Sequence, residues 1–193
     1  MADQARLQKL NKENLNNEKC TYLIRQSPQK RQFRFALRCM RGAKEAGNNV
    51  TKINVASKKI APCHACYFCG EHGGECVYKD DMAEILQAMI DADVLVLASP
   101  VYFYSIDAQL KAVIDRTVAR WLEVKDKEFY YIMTAADEDK SSMETTLACF
   151  RGYADCVNGA KEMGVIYGTG VYEKGKILNT RAMAQAYEMG KNV

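Results

Sequence analysis

The sequence contains no apolar run approaching the roughly 18 residues that a membrane-crossing helix needs, so a membrane protein is not expected. It also lacks a strong excess of either charge. The formal net charge is +3, too small to argue for nucleic acid as a partner, and the basic residues are dispersed except for a cluster over 30–41. The first residues are polar and have no apolar segment of the secretory kind, which predicts a cytoplasmic location. No internal repeat, low-complexity tract or linker divides the 193 residues, a length that suffices for one domain with a sizeable core. What is present is an ordinary globular composition, with eight cysteines. Without a secretory segment those cysteines point to reduced thiols or metal ligands rather than disulfides.

The most informative stretch is 94–117, VLVLASPVYFYSIDAQLKAVIDRT. Val94, Leu95, Val96, Leu97 and Ala98 form a continuous apolar run of β-formers, the pattern of a parallel strand covered on both faces. From Ile106 the period changes to helical, with Leu110, Val113 and Ile114 on one side and Asp107, Gln109, Lys111 and Asp115 on the other. Between them lie Ser99, Pro100, Val101, Tyr102, Phe103, Tyr104 and Ser105. They sit where an open α/β sheet places its ligand, outside the carboxyl end of a strand. The expectation is a binding loop for a flat molecule, with packing at the top of the core as the alternative role for the aromatics.

Along the rest of the chain, 1–19 reads as a polar tail and 20–193 as the folded domain. Strands are expected over 21–24, 50–55, 129–135 and 165–171 in addition to 94–98. Helices are expected over 33–46, stopped by Gly47, then over 81–92 with Asp80 or Asp81 as N-cap, and over 145–163 and 180–189. Strands alternating with helices at this spacing mean an α/β fold, a five-stranded parallel sheet doubly wound with helices on both faces.

A second stretch, over 62–79, carries Cys63, Cys66, Cys69 and Cys76 in the spacing C-x2-C-x2-C-x6-C. Three thiolates two residues apart can wrap one corner of an iron-sulfur cubane, and the fourth can close the set after a Gly-containing loop. Structural zinc more often uses two separated C-x2-C knuckles. A [4Fe-4S] cluster, zinc and free thiols in a structured loop all stay open on spacing alone. His64 and His72 flank these cysteines and read as loop residues rather than ligands. Cys20, Cys39, Cys149 and Cys156 read as ordinary residues, with packing roles for Cys39 and Cys149.

The run SPVYFYSIDAQLKAVIDRT resembles the flavin-contacting loop and following helix of the flavodoxin-like NADPH-dependent FMN reductase family, and the cysteine loop with the following VYKDDM resembles the cluster loop of its iron-sulfur flavoprotein branch. The resemblance implies a flavodoxin-like fold with FMN against residues 99–105. It also implies further backbone contacts at Thr134, Ala135 and Ala136, and small residues there and at Gly168 would permit close approach. It implies an oxidoreductase taking electrons from NADH or NADPH to a small-molecule (flavin or quinone) or protein acceptor, a cluster on the four cysteines, and a homodimer. The flavin carries the chemistry, so no acid-base pair is required of the protein. From another class, the alternative is a flavin-free redox-sensing or binding protein working through a metal or thiols in the cysteine loop.

The resemblance breaks at the first strand-to-helix turn. There the family places S-P-R, then Gly and Asn, then a hydroxyl residue to hold the phosphate. This chain has Ser27, Pro28, Gln29, Lys30, Arg31, Gln32, Phe33 and Arg34, of which only Ser27 and Pro28 match. Lys30, Arg31 and Arg34 supply charge without the fixed geometry of a backbone nest. Codons compatible with 17–38, read one base further on, allow MKNVLISSGSPRRKGNSDLLC, the family's strand, phosphate loop and helix start in order. The departure therefore reads as a change of frame. The nucleotide sequence of the gene is expected to contain those codons, and a gene that lacks them refutes the idea; if they are present, restoring the frame should restore flavin binding.

Overall fold

Short β-rich runs and amphipathic segments alternate in the chain and assemble as one sheet between two layers of helices. The computed structural model describes residues 18–25, 31–172 and 176–193. Its strands are β1 (Lys19–Ile24), β2 (Asn49–Asn54), β3 (Val94–Pro100), β4 (Glu128–Thr134) and β5 (Lys161–Gly168). They lie in the order β2-β1-β3-β4-β5, and every neighbouring pair is parallel. The expected α/β, flavodoxin-like doubly wound sheet is therefore the observed one.

Five helices of nine or more residues are described: α1 (Arg31–Glu45), α2 (Met82–Asp91), α3 (Ala108–Arg116), α4 (Glu144–Ala154) and α5 (Arg181–Lys191). The strands feed both helical layers because their side chains alternate. Leu23, Leu95, Leu97, Phe129 and Tyr131 enter one core with Met82, Ile85, Leu110, Val113, Leu147 and Phe150 from α2, α3 and α4. Tyr22, Ile24, Val94, Val96 and Ile132 enter the other with Phe35, Ala36, Cys39, Ala182 and Ala186 from α1 and α5. All seven residues of β3 are buried, which is why its sequence is apolar without alternation.

Helices α1 and α5 cross at close range through two glycines. A Cβ on Gly190 would lie 1.9 Å from the carbonyl oxygen of Cys39, and one on Gly42 would lie 2.3 Å from that of Tyr187. The backbones are thus as near as glycine allows.

The observed boundaries correct several expectations. The helix expected over 145–163 ends at Ala154, and a turn with Gly159 at φ +73° leads into β5, which begins at Lys161 rather than at 165. Met163 belongs to this strand, at a register irregularity opposite Phe129 and Tyr130, and it is half exposed. β1 begins at Lys19, within the expected tail, and the rest of that tail lies outside the described residues. Asp81 precedes α2 but makes no side-chain cap there; it accepts from the Lys59 amide (2.7 Å), and Asp80 accepts from the Met82 amide (3.1 Å) instead. Ile106, placed with the helix by its period, precedes it, because Asp107 is the N-cap. Gly47 ends α1 as expected, at φ +99° with its amide on the Lys44 carbonyl.

Asp107 fixes where α3 starts. Its Oδ1 accepts from the amides of Gln109 and Leu110, both at 3.1 Å, and its Oδ2 accepts from the Ser99 hydroxyl at 2.9 Å. The carboxyl group is fully buried, and that burial pushes it above the ordinary carboxylate value of 3.8, against the hydrogen bonds and the nearby charge of Arg25. A pKa raised on folding favours the native state while the group is protonated, and this contribution is lost as pH rises through the raised value. Asp107→Ala should cost about 1–2 kcal/mol through the lost cap. Asp107→Asn, which still caps, should lose less stability than the parent as pH rises above the ordinary carboxylate range in urea denaturation. Identical pH slopes for the two proteins would contradict this account.

Candidate functional site

The strand order reverses direction at β1 and β3, and the two connections leave for opposite layers. Helix α1, after β1, packs in one core, and α3, after β3, packs in the other. The carboxyl ends of these two strands lie where the connections part, which is where open α/β sheets bind ligands. The residues that close this crevice on the β3 side are 99–105.

Ser99 and Pro100 are the last residues of β3, paired with Met133 and Thr134 of β4. The Ser99 side chain is buried and engaged with Asp107 and with the Pro100 carbonyl (2.7 Å), so its role is to tie the strand end to the start of α3. The Val101 amide donates to the Thr134 carbonyl (2.8 Å), and the Ala135 amide donates to the Gly168 carbonyl (2.9 Å). The ends of β3, β4 and β5 are thereby held side by side, with Thr134 and Ala135 buried and Ala136 exposed beside them. Gly168 is also required within the fold, since a Cβ there would meet the Phe35 ring at 2.4 Å.

Tyr102 and Ser105 exchange both backbone hydrogen bonds, at 2.9 and 3.0 Å, and so close a two-residue turn. Its central residues, Phe103 and Tyr104, have φ of +48° and +59°. That is the turn geometry for which glycine and asparagine are preferred, and two aromatic residues occupy it at a cost of about 1 kcal/mol or more each. Burial is no compensation, since Phe103 is fully exposed, Tyr104 is 61% exposed and Tyr102 is 45% exposed. The reading of these aromatics as core packing is therefore wrong. Arg25, just beyond β1, donates to the Tyr102 hydroxyl at 2.7 Å and stands 5.2 Å from its ring centre, bridging the two strand ends of the crevice. Sequence reading missed a further neighbour: Cys149 of α4 places its sulfur 3.6 Å from the Ser105 hydroxyl. Ser27, Pro28 and Lys30 lie outside the described residues.

The four cysteines of 62–79 are brought together. Cys63, Cys66, Cys69 and Cys76 all line one cavity of about 390 Å³, walled also by Tyr78, Arg116 and Val118. A helical turn, Phe68–Glu71, carries Cys69, and left-handed backbone at Ala65 (φ +55°) and Tyr67 (φ +58°) turns the chain between the first three cysteines. Among the described residues no three His, Cys, Asp or Glu side chains are gathered as ligands for one metal ion. A tetrahedral zinc site requires all four sulfurs about 2.3 Å from a single centre, which this arrangement does not supply. A cluster spreads its ligands around a body several atoms wide, and four thiols around the rim of one cavity fit that form better. Both histidines are occupied elsewhere: His64 Nδ1 pairs with the Tyr78 hydroxyl at 2.9 Å, and His72 Nδ1 with the Phe68 carbonyl at 2.8 Å.

Comparison with known proteins agrees with this geometry. A family model described as NADPH-dependent FMN reductase matches residues 25–150. An iron-sulfur flavoprotein of Archaeoglobus fulgidus is 38% identical over 105 residues, covering 54% of this chain and 52% of that protein. One from Methanosarcina thermophila is 42% identical over 76 residues, 39% of each. The chain thus spans about half or less of the length of these relatives. Among solved structures, a Bacillus anthracis FMN-dependent NADH-azoreductase in complex with FMN superposes with a TM-score of 0.68 at 14% identity, over 92% of this chain and 98% of the other, a likeness of fold. The matched stretch contains the aromatic turn, the cysteine loop and helices α1, α2 and α3, and the chain belongs to the NADPH-dependent FMN reductase family.

Proposed function

We propose that this protein is a flavin-dependent oxidoreductase that binds FMN in the crevice between β1 and β3, accepts electrons from NADH or NADPH, and passes them to a flavin, quinone or protein acceptor. The observation that carries this reading is the turn at 102–105, where two exposed aromatics are held at positive φ beside the strand reversal. Strain kept without burial is explained by a ligand that the strained residues contact. When bound, FMN supplies the hydride and electron chemistry. The chain's own task is to orient it. The Tyr102, Phe103 and Tyr104 rings offer flat apolar faces, and the Ser99–Asp107 bond and the Val101–Thr134 bond hold the loop from below. Arg25 adds a positive charge at the β1 side. The protein acts in the cytoplasm as a homodimer in this reading, as the family resemblance implies.

The same reading assigns a [4Fe-4S] group to Cys63, Cys66, Cys69 and Cys76, supported by their common cavity and by the printed names of the archaeal relatives. The four thiolates would hold it, and it would relay single electrons between flavin and acceptor.

Two outcomes are expected. Replacing Tyr102, Phe103 and Tyr104 together with alanine should weaken FMN binding by about 1.5–4.5 kcal/mol, roughly 10- to 2000-fold in Kd, because each ring contributes about 0.5–1.5 kcal/mol of stacking. Fluorescence titration of the folded variant with FMN measures this, and an unchanged Kd would remove the loop from the site. Anaerobically purified protein should carry iron and sulfide near four of each per chain. Stoichiometric zinc, or four thiols in the loop that titrate freely, would rule the cluster out.

A further inference from the structure

Arg116 ends α3 with a side chain only 2% exposed, a rare state for a guanidinium, and its hydrogen bonds go to the base of the cysteine loop. Its Nη1 donates to the Ala61 carbonyl (2.8 Å) and to Asp80 Oδ2 (2.9 Å), and its Nη2 donates to Asp80 Oδ1 (3.1 Å). Asp80 in turn accepts from the Ala61 amide at 2.9 Å. Residues 61 and 80, where the loop enters and leaves, are thus fastened to each other and to α3. The Lys59 and Asp81 backbone bond at 3.0 Å adds a second rung below them. The guanidinium also stands 5.1 Å from the Tyr78 ring centre, and the Tyr78 hydroxyl holds His64, the neighbour of Cys63.

Two features point from this anchor into the cavity. Arg116 lines the same cavity as the four cysteines, and its Nε is buried with no hydrogen-bond partner. A buried N–H left without an acceptor costs about 1–3 kcal/mol, and a sulfur in the cavity would relieve that. Burial works against the guanidinium's charge, but the hydrogen bonds and charge of Asp80 outweigh it and hold Arg116 cationic. The balancing carboxylate lies behind it: burial of Asp80 works against its charged form, but the bonds from Arg116 and from the Ala61 and Met82 amides outweigh burial and hold it ionised.

Resting on the cluster reading above, we propose that Arg116 is a positioning residue that closes the base of the loop against Asp80 and holds a fixed positive charge beside the thiolate-bound group, stabilising its reduced state. Adding one electron to a cluster held by four thiolates makes it more negative by one charge and transfers no proton. A buried cation beside it favours that state, and charge and hydrogen bonds to sulfur are among the factors that set cluster potentials.

The full chain, reconstituted anaerobically with ferrous iron and sulfide, is titrated with dithionite and mediator dyes, following visible absorbance and the electron spin signal. Arg116→Gln should lower the reduction equilibrium constant tenfold or more, about 59 mV for one electron. Asp80→Asn, which removes the balancing negative charge, should shift the potential upward. Arg116→Lys should keep the parent potential within threefold, because it keeps the charge. All three weaken the same clamp, so a purely structural role would move the two charge-changing variants in one direction. Shifts of equal sign, or none, overturn the proposal. If Arg116→Gln does not fold or load, the upward shift of Asp80→Asn against Arg116→Lys decides it. A parent chain that takes up neither iron nor sulfide overturns the cluster reading itself, a result distinct from a loaded parent with unmoved variants.

Discussion

A parallel sheet cannot leave a face to water when its strands are short and apolar, and this constraint organises the molecule. Each crossover must run a helix back along one face, so the chain has to alternate strand and helix. It must also change face somewhere if both are to be covered. That change falls between β1 and β3, with α1 in one layer and α3 in the other. The crevice at their carboxyl ends is therefore a consequence of covering the sheet and not an added feature. The aromatic turn follows β3 directly, so its position is set by the same topology.

Helix α3 links the two sites through its ends. Asp107 caps its first turn and reaches back to Ser99 under the aromatic turn, and Arg116 ends it at the base of the cysteine loop. Nine residues rising about 1.5 Å each separate the two by roughly 13 Å of rigid helix. The charges at these ends are buried in contrasting ways. Asp107 accepts from the neutral donors Ser99, Gln109 and Leu110, and burial raises its pKa against those bonds and the charge of Arg25. Arg116 has a bidentate carboxylate partner, and both members of that pair keep their charge. Losing one partner of such a pair is the costly event, because the other remains buried and charged.

Much of this was legible in the sequence, for reasons particular to each element. The run at 94–98 identified β3 because a strand buried on both faces has no polar positions to blur it. The spacing of the four cysteines marked them as neighbours, and they line one cavity. The helix over 145–163 was read too long. Tyr153, Val157 and Ala160 continue a helical spacing by chance, and only the Asn158–Gly159 pair marks the turn. Asp107 was read as part of a polar helix face, although an aspartate just before a helical run is also the commonest form of cap. Arg116 was missed altogether. The available clue was its position three residues after Val113 and six after Leu110, which puts a cation on the buried stripe of α3. Gly42 and Gly190 left no trace, because a close helix crossing depends on two distant residues at once.

The aromatic turn shows how a local rule can fail at a candidate binding site. Glycine at 103 and 104 would fit the backbone better, and the fold has no visible use for Phe103, which touches nothing that reduces its exposure. A sequence selected for stability alone would not keep this arrangement, since the strain and the exposed apolar surface act in the same unfavourable direction. The turn nevertheless sits on a firmly packed base: its stem is β3, fully buried, and its exit is a helix capped from beneath by Asp107. Rings held in place in this way lose little further freedom when a flat ligand stacks on them, so the ordering cost is already met by the folded protein. The strain then has a physical reading as preorganisation, and the rigidity of β3 and the cap at Asp107 are the conditions that let it persist.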